Sequence, residues 1–185
     1  IKPGWNLFSV PVYQNKGVCD PKSTQACIMI AMAQPKIKEN TCGDLSLWHY
    51  DAANKDYVKG KLSDWELDWA PPGSIAYGPQ FGYWVKSQKA CKIVFEGNTE
   101  SKTLEGADLQ SGWNQIGGGA DSLQGVELLG CRVTSGPWSY DNPQRKWVKA
   151  AAFENGRGYF LKVEQDCTLM MGARTTQPNS VRSKQ

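Results

Sequence analysis

Apolar residues along the chain are grouped in short blocks, and most of these blocks predict β-strands. Residues 5–12 form the first block, and Pro11 restricts its end to a sheet edge, since proline has no N–H to donate. Residues 45–50 alternate with a period of two but carry bulk on both faces, as in a strand covered on each side. A polar turn at residues 51–56 and a strand at residues 57–58 complete a predicted hairpin. The pattern recurs at residues 138–141, 142–143 and 146–149.

Two segments predict helices instead. Asp20 followed by Pro21 is typical of a helix start, because Asp caps free N–H groups and Pro suits the first turn. This helix is predicted over residues 20–33 and ends before Pro35. A shorter helix is predicted over residues 122–129.

The same series of motifs occurs twice, which marks the structural unit. Each copy begins with Gly-Trp-Asn, at residues 4–6 and 112–114. A cysteine follows, at Cys42 in the first copy and Cys131 in the second, and then Trp-x-Tyr-Asp, at residues 48–51 and 138–141. Gly-Tyr-aromatic-aliphatic-Lys comes next, at residues 82–86 and 158–162, and a second cysteine ends the series, at Cys91 and Cys167. In both copies the second cysteine lies eight residues after the tyrosine of the Gly-Tyr pair.

The repeat predicts an α+β, β-dominated fold of two tandem homologous units. Each unit is expected to have a small antiparallel sheet, one short helix and one internal disulfide. The first unit spans residues 1–99 and has helical and aromatic-loop insertions, and the second spans residues 100–172. Residues 98–111 are predicted to be a polar link, and residues 173–185 a polar C-terminal tail.

Six cysteines without zinc-type spacing favour disulfides over six reduced, buried thiols. Six cysteines allow fifteen pairings. The correspondence between copies selects two of them, Cys42–Cys91 and Cys131–Cys167. Cys19 and Cys27 are the other predicted disulfide residues, and they lie in a segment that only the first copy contains. Disulfides predict an oxidising location, extracellular or on the cell surface.

Composition excludes two classes of partner. The chain has 21 Lys and Arg residues against 18 Asp and Glu, and the basic residues are scattered, so we expect no nucleic-acid partner. No apolar run approaches the roughly 20 residues of a membrane-spanning helix.

No set of catalytic, cofactor or metal-binding residues is evident, so the protein is predicted not to be an enzyme. His49 is the single histidine and lies within a strand pattern, where a structural role is favoured over a hydrolase base. Residues 117–119 are three glycines without the Lys-Ser/Thr of a phosphate loop. Three alternating carboxylates favour a solvated strand face over a calcium site, and these are Asp64, Glu66 and Asp68.

The chain is rich in aromatic residues, with eight Trp and seven Tyr. Those that occur in both copies are expected in the core: Trp5, Trp48, Trp113, Trp138, Tyr83 and Tyr159. The unrepeated Trp65, Trp69 and Tyr77 lie on a proline-rich loop and are the candidate ligand-binding residues. The alternative is that this loop packs on its own sheet or on the second unit.

The opening Gly-Trp-Asn-Leu-Phe-Ser-Val-Pro, with Trp-x-Tyr-Asp and Gly-Tyr-Trp-Val-Lys, resembles a repeat of large prokaryotic exported and cell-surface proteins. The resemblance covers both units and implies extracellular display of a β-rich module without catalytic residues. Such modules accompany adhesins, envelope proteins and secreted hydrolases. The second copy departs from the motif at residues 115–119, which raises the question whether its first strand forms fully.

These observations favour a non-catalytic extracellular protein with a structural or adhesive role, and a subunit of an extracellular filament is one form of that role. Its expected partners are other copies of itself or another envelope protein, bound through strand addition at sheet edges. The alternative is a carbohydrate-binding module whose polysaccharide ligand stacks on Trp65, Trp69 and Tyr77.

Overall fold

The computed structural model describes residues 1–12, 36–63, 80–97, 105–119 and 131–171. Both predicted helices, Cys19, Cys27 and the C-terminal tail lie outside these residues, and the statements about them stay predictions. The described part of the protein is β-dominated, and its strands form several small antiparallel sheets.

Twelve strands occur in the described residues. The first six are β1 (Gly4–Ser9), β2 (Lys36–Asn40), β3 (Ser46–Asp51), β4 (Asp56–Lys61), β5 (Gly82–Ser87) and β6 (Ile93–Glu96). The other six are β7 (Glu105–Leu109), β8 (Gly112–Gly117), β9 (Val133–Asp141), β10 (Lys146–Lys149), β11 (Gly158–Val163) and β12 (Cys167–Met171).

Two four-stranded sheets form the framework, and their strand orders correspond. The first has the order β1-β5-β3-β4, and the second has the order β8-β11-β9-β10. The motifs of the two copies therefore occupy equivalent strands. β8 forms over the whole of Gly112–Gly117 and pairs along its length with β11, although its sequence departs from the motif.

The two predicted hairpins are present, β3–β4 and β9–β10. The aspartate of each Trp-x-Tyr-Asp motif holds the turn that follows it. The Oδ1 atom of Asp51 accepts hydrogen bonds from the backbone N–H groups of Ala53 and Asn54, and that of Asp141 accepts one from Gln144. Such Asx-type bonds explain why an acidic residue ends both motifs.

A two-stranded sheet covers one face of each four-stranded sheet. β2 and β6 cover the first core, where Leu47, Tyr83 and Val85 are fully buried. β7 and β12 cover the second core around Tyr159 and Leu161. We call the covered face of each four-stranded sheet its inner face and the opposite one its outer face.

β7 lies within residues 98–111, so the prediction that this segment is only a link is wrong for residues 105–109. Its polar composition hides the strand, because only alternate side chains enter the core. Ala107 and Leu109 are buried, while Asp108 between them is exposed.

Both disulfides that the repeat selects are present, with Cα–Cα distances of 4.9 Å for Cys42–Cys91 and 5.4 Å for Cys131–Cys167. They close segments of 49 and 36 residues. By the chain-entropy model each bond stabilises the fold by about 4 kcal/mol, less any native strain.

The two halves meet through equivalent backbone contacts. Phe8 bridges to Arg157, and the corresponding Ile116 bridges to Phe81. The Ser9 N–H donates to the Gly156 carbonyl at 3.1 Å, and the equivalent bond runs from Gly117 to Gln80 at 2.8 Å. These paired contacts relate the halves by an approximate two-fold axis.

The glycine of each Gly-Tyr motif allows this approach. A Cβ atom at Gly82 would lie 2.5 Å from the carbonyl oxygen of Ile116. A Cβ atom at Gly158 would lie 2.9 Å from the carbonyl oxygen of Phe8, in the equivalent contact. Glycine is needed at both positions because one backbone lies directly against another.

Candidate functional site

Strand alternation divides the aromatic residues of the repeat between two faces. In β5, Tyr83 and Val85 point into the core and are fully buried, whereas Trp84 and Lys86 lie on the outer face. The same division occurs in β11, where Phe160 and Lys162 are on the outer face. The core position predicted for Tyr83 and Tyr159 is confirmed.

The tryptophans of the repeat are not core residues, and that prediction is wrong. Trp5 and Trp113 are 40% and 41% exposed, and Trp48 and Trp138 are partly exposed. The reason is that the repeat tryptophans lie on the outer face of each sheet, which contacts the opposite half through only some of its rings. Each outer face carries five aromatic rings, which are Trp5, Trp48, Tyr50, Tyr57 and Trp84 in the first sheet and Trp113, Trp138, Tyr140, Trp147 and Phe160 in the second.

The outer faces of the two sheets contact each other through these rings. The centroids of Trp84 and Tyr140 are 5.1 Å apart, and those of the equivalent pair, Phe160 and Tyr50, are 5.9 Å apart. Trp84 also contacts Trp147 at 5.6 Å. Aromatic contacts therefore connect the halves near the approximate two-fold axis and leave the outer rings open to solvent.

Two clefts lie beside these contacts and share Trp147 as a lining residue. The first cleft has a volume of about 410 Å³ and is lined by Trp5, Trp48, Tyr57, Trp84, Tyr140 and Trp147. The second cleft has a volume of about 490 Å³ and is lined by Trp113, Ser135, Trp138, Trp147 and Phe160. Four lining residues of the second cleft occupy positions equivalent to Trp5, Trp48, Tyr57 and Trp84.

The contacting rings in the clefts are steeply inclined to one another rather than coplanar, at 61° for Trp5 and Trp48. The interplanar angle is 86° between Trp5 and Trp84, and 83° between Trp84 and Trp147. This edge-to-face packing stabilises aromatic clusters. It produces clefts with ring faces on different sides, not a flat platform.

A lysine lies directly across the strand pair from each tryptophan of the repeat. The pairs are Trp5 with Lys86, Trp48 with Lys59, Trp113 with Lys162 and Trp138 with Lys149. The Nζ atom of Lys86 lies 5.7 Å from the ring centroid of Trp5, and that of Lys59 lies 5.7 Å from that of Trp48. These are cation–π distances, so the two ammonium groups lie over indole rings of the aromatic surface.

Tyr57 provides a neutral hydroxyl group in the first cleft. Partial burial raises the pKa of Tyr57 above its usual value, although a hydrogen bond with Trp84 acts in the opposite direction. The phenol is therefore protonated at physiological pH and can donate a hydrogen bond to a ligand.

His49 is on the inner face and has a structural environment. Its Nδ1 atom is 2.9 Å from the carbonyl oxygen of Gly82, which accepts a hydrogen bond from the ring. Its ring contacts Phe81 and Tyr83 at 5.5 and 5.9 Å. Burial lowers the pKa of His49 despite the hydrogen bond with Gly82 and the charge of Asp51. A neutral imidazole therefore orients the strand that meets the other half.

A third cavity, of about 270 Å³, lies beside His49 at the junction of the halves. Gln115 is 3% exposed there, and its Oε1 atom accepts a hydrogen bond from Tyr50 N–H at 2.5 Å. Among the described residues, its Nε2 atom and the Oε1 atom of Gln80 have no hydrogen-bond partner. A polar cavity of this size suits bound water.

The residues predicted as a ligand-binding loop, Trp65, Trp69 and Tyr77, lie outside the described residues, as do Asp64, Glu66 and Asp68. In the described ranges, no three His, Cys, Asp or Glu side chains are grouped as metal ligands. No helix in the described part of the chain has both the length and the apolar character needed to cross a membrane.

Comparison of the chain with protein-family models, curated proteins and solved structures finds no match in any of the three. The fold and the aromatic clefts are therefore the basis for any statement about function.

Proposed function

We propose that the protein is a non-catalytic extracellular adhesive module that binds polysaccharide through its two aromatic clefts. The observation that carries this proposal is the solvent-open group of rings from both sheets that forms the first cleft. Trp5 and Trp147 are 40% and 46% exposed there, which is unusual for large aromatic residues that serve only the core.

The chemistry of the clefts supports a saccharide. Ligand sites combine apolar and aromatic walls with a few polar groups, and the faces of indole rings suit the C–H faces of sugar rings. Tyr57 and the lysines supply hydrogen-bond donors for sugar hydroxyl groups. Because the rings are not coplanar, the clefts favour a single glycan chain over the flat surface of a crystalline polysaccharide.

Two further observations support an extracellular location. The Cys42–Cys91 and Cys131–Cys167 disulfides fit an oxidising environment. The resemblance of the motifs to a repeat of exported prokaryotic surface proteins favours the same location.

We also infer that residues 1–99 and 100–172 are tandem copies of one unit. The matching strand orders support this inference, as do the equivalent disulfides and equivalent backbone contacts. The backbone N–H of Cys91 donates to the carbonyl of Ile1, and the equivalent residues Cys167 and Leu109 are register partners in the β12–β7 sheet.

A filament built by strand addition is a separate hypothesis, and the lysines on two of the outer strands do not favour it. β4 and β10 are the outermost strands at one side of each sheet in the described part of the chain. β10 begins with Lys146 and ends with Lys149, and β4 carries Lys59 and Lys61. Lysines on edge strands oppose pairing with another chain.

Affinity electrophoresis in gels that contain soluble polysaccharides tests the proposed function. The protein is expected to be retarded by at least one polysaccharide, and Trp48→Ala is expected to lose most of that retardation because the ring face is lost. Trp48→Tyr keeps a ring and is expected to bind. Lys38→Ala, on β2, is the matched surface control. Unchanged retardation of Trp48→Ala with intact near-UV circular dichroism would refute the proposed site.

A further inference from the structure

The pattern of lysines on the outer faces points to the charge of the ligand. Each of the four repeat tryptophans faces a lysine across its strand pair, at equivalent positions in both halves. The other outer-face positions in these registers are aromatic, aliphatic or uncharged polar residues, apart from the further lysine Lys61. The aromatic surface is therefore bordered by positive charge and carries no carboxylate at these positions.

We propose that each of the two clefts is a site for an acidic polysaccharide, with carboxylate-bearing (uronate) residues as the preferred class, so that each protein chain binds two glycan segments. This inference rests on the proposed function, and it adds the charge of the ligand and the number of sites.

The geometry matches a sugar whose carboxylate is attached directly to its ring. The sugar ring stacks on an exposed aromatic ring of the cleft, and its carboxylate reaches an ammonium group that lies over a neighbouring indole ring. Lys86 and Lys59 do not line the first cleft, but the Nζ atom of each lies 5.7 Å from the ring centroid of a tryptophan that does. An ammonium and a carboxylate at the edge of an apolar surface form a charge-assisted hydrogen bond.

The same lysines oppose the other ligand that aromatic clefts commonly bind, a quaternary ammonium group. Such cations need ring faces without competing positive charge. In the first cleft the faces of Trp5 and Trp48 already interact with Lys86 and Lys59. The two lysines would repel a cationic ligand, whereas an anionic ligand could bind both ammonium groups.

The approximate two-fold relation predicts two sites rather than one extended site. Trp113 and Trp138 occupy the positions of Trp5 and Trp48, and Lys162 and Lys149 occupy those of Lys86 and Lys59. Trp147 lines both clefts, so its loss is expected to weaken both sites. Two sites on one chain allow the protein to cross-link glycans, which is a direct route to adhesion.

Isothermal titration calorimetry with defined oligosaccharides tests this inference. The probes are a hexasaccharide of polygalacturonate, neutral cellohexaose and a sulfated dextran fragment of similar length. We expect two polygalacturonate hexasaccharides per chain, with affinity at least tenfold higher than for cellohexaose. Raising the ionic strength to 1 M, where the Debye length falls to about 3 Å, should remove most of that difference.

Paired variants separate the two sites. Trp5→Ala/Trp48→Ala and Trp113→Ala/Trp138→Ala are each expected to reduce the stoichiometry from two to one. Lys59→Gln and Lys86→Gln keep the rings and are exposed, so they are expected to fold and to weaken uronate binding at the first site by about two- to fivefold each. Both lysine variants should weaken uronate binding by a larger factor than cellohexaose binding, because only the uronate loses a charge partner, and Lys38→Gln on β2 is the matched charge control.

Each alternative result has a defined meaning. Equal affinity for cellohexaose and polygalacturonate would overturn this inference and leave the proposed function intact. A stoichiometry of one, with binding abolished by either tryptophan double variant, would do the same. Binding of sulfated dextran alone would overturn the preference for carboxylate. Binding of neither sugar class would overturn both, and binding only to phosphatidylcholine vesicles that contain phosphatidylserine would assign the clefts to a lipid surface.

Discussion

Substitution of Gly82 by alanine tests whether the halves meet through direct backbone contact. The added Cβ atom would lie 2.5 Å from the Ile116 carbonyl oxygen and 3.1 Å from the Ile116 carbonyl carbon. Both atoms belong to the backbone of β8, so they cannot rotate away as a side chain could. The two sheets must separate or β5 must shift.

The expected free-energy change follows from two opposing effects. Overpacking of a close contact costs about 1–3 kcal/mol. Replacement of glycine by alanine also lowers the entropy of the unfolded chain, which stabilises a protein by about 0.4–1 kcal/mol where the alanine fits. We therefore expect Gly82→Ala to be less stable than the wild type by about 1–2 kcal/mol, which corresponds to a decrease in melting temperature of about 2–8 °C for a chain of this size.

Urea unfolding of the oxidised protein, followed by tryptophan fluorescence, measures this change. Gly158→Ala is the equivalent variant in the other half, where the nearest atoms are Leu7 Cγ at 2.8 Å and Phe8 O at 2.9 Å. A smaller loss is expected there because Leu7 can move. Lys86→Ala, on the exposed face of β5, should change stability by no more than about 0.5 kcal/mol. A Gly82→Ala variant as stable as the wild type would refute the backbone contact.

Three further predictions concern stability. His49 is the single histidine, and burial lowers its pKa in the folded protein, so the unfolded chain binds the proton more readily. Stability should therefore fall as the pH decreases below about 6.5. Urea titrations at several pH values measure this dependence, and His49→Gln should remove it. An unchanged pH dependence in the variant would contradict the buried neutral ring. The Cys42→Ser/Cys91→Ser variant should lose about 4 kcal/mol of unfolding free energy, because the disulfide closes a segment of 49 residues. A loss below about 1 kcal/mol would show that closing this segment is not a main source of stability. Tyr159→Phe should lose about 1–3 kcal/mol, since the Glu154 N–H donates to the Tyr159 hydroxyl at 2.7 Å, and an equally stable variant would show that this bond contributes nothing.

The sequence predicts those parts of the fold that depend on local pattern and on the repeat. The hairpins β3–β4 and β9–β10 follow from period-two alternation and polar turns. The disulfide pairs follow from the correspondence between copies. The hairpins can be predicted because their strands are neighbours in the chain, and the disulfides because the two copies have equivalent cysteines.

The positions of the tryptophans depend on contacts between the halves, and the repeat does not specify these. Bulk on both faces of residues 45–50 correctly predicts a strand covered on each side, but it does not identify which side is the core. A signal was available in the Gly-Tyr-Trp-Val-Lys motif, because Trp84 and Lys86 are two residues apart and share a face. A lysine on that face indicates contact with solvent, whereas Tyr83, which precedes Trp84, belongs to the buried face.

The most direct test of the account is hydroxyl-radical footprinting of individual tryptophans, with and without saturating polygalacturonate hexasaccharide. In the free protein, Trp5, Trp48, Trp113 and Trp147 are expected to be oxidised. With the hexasaccharide all four should be protected, because both clefts are occupied, while exposed residues of β2 stay equally reactive. If these tryptophans were unreactive in the free protein, or if the saccharide left their oxidation unchanged, the outer faces would not be the binding surface.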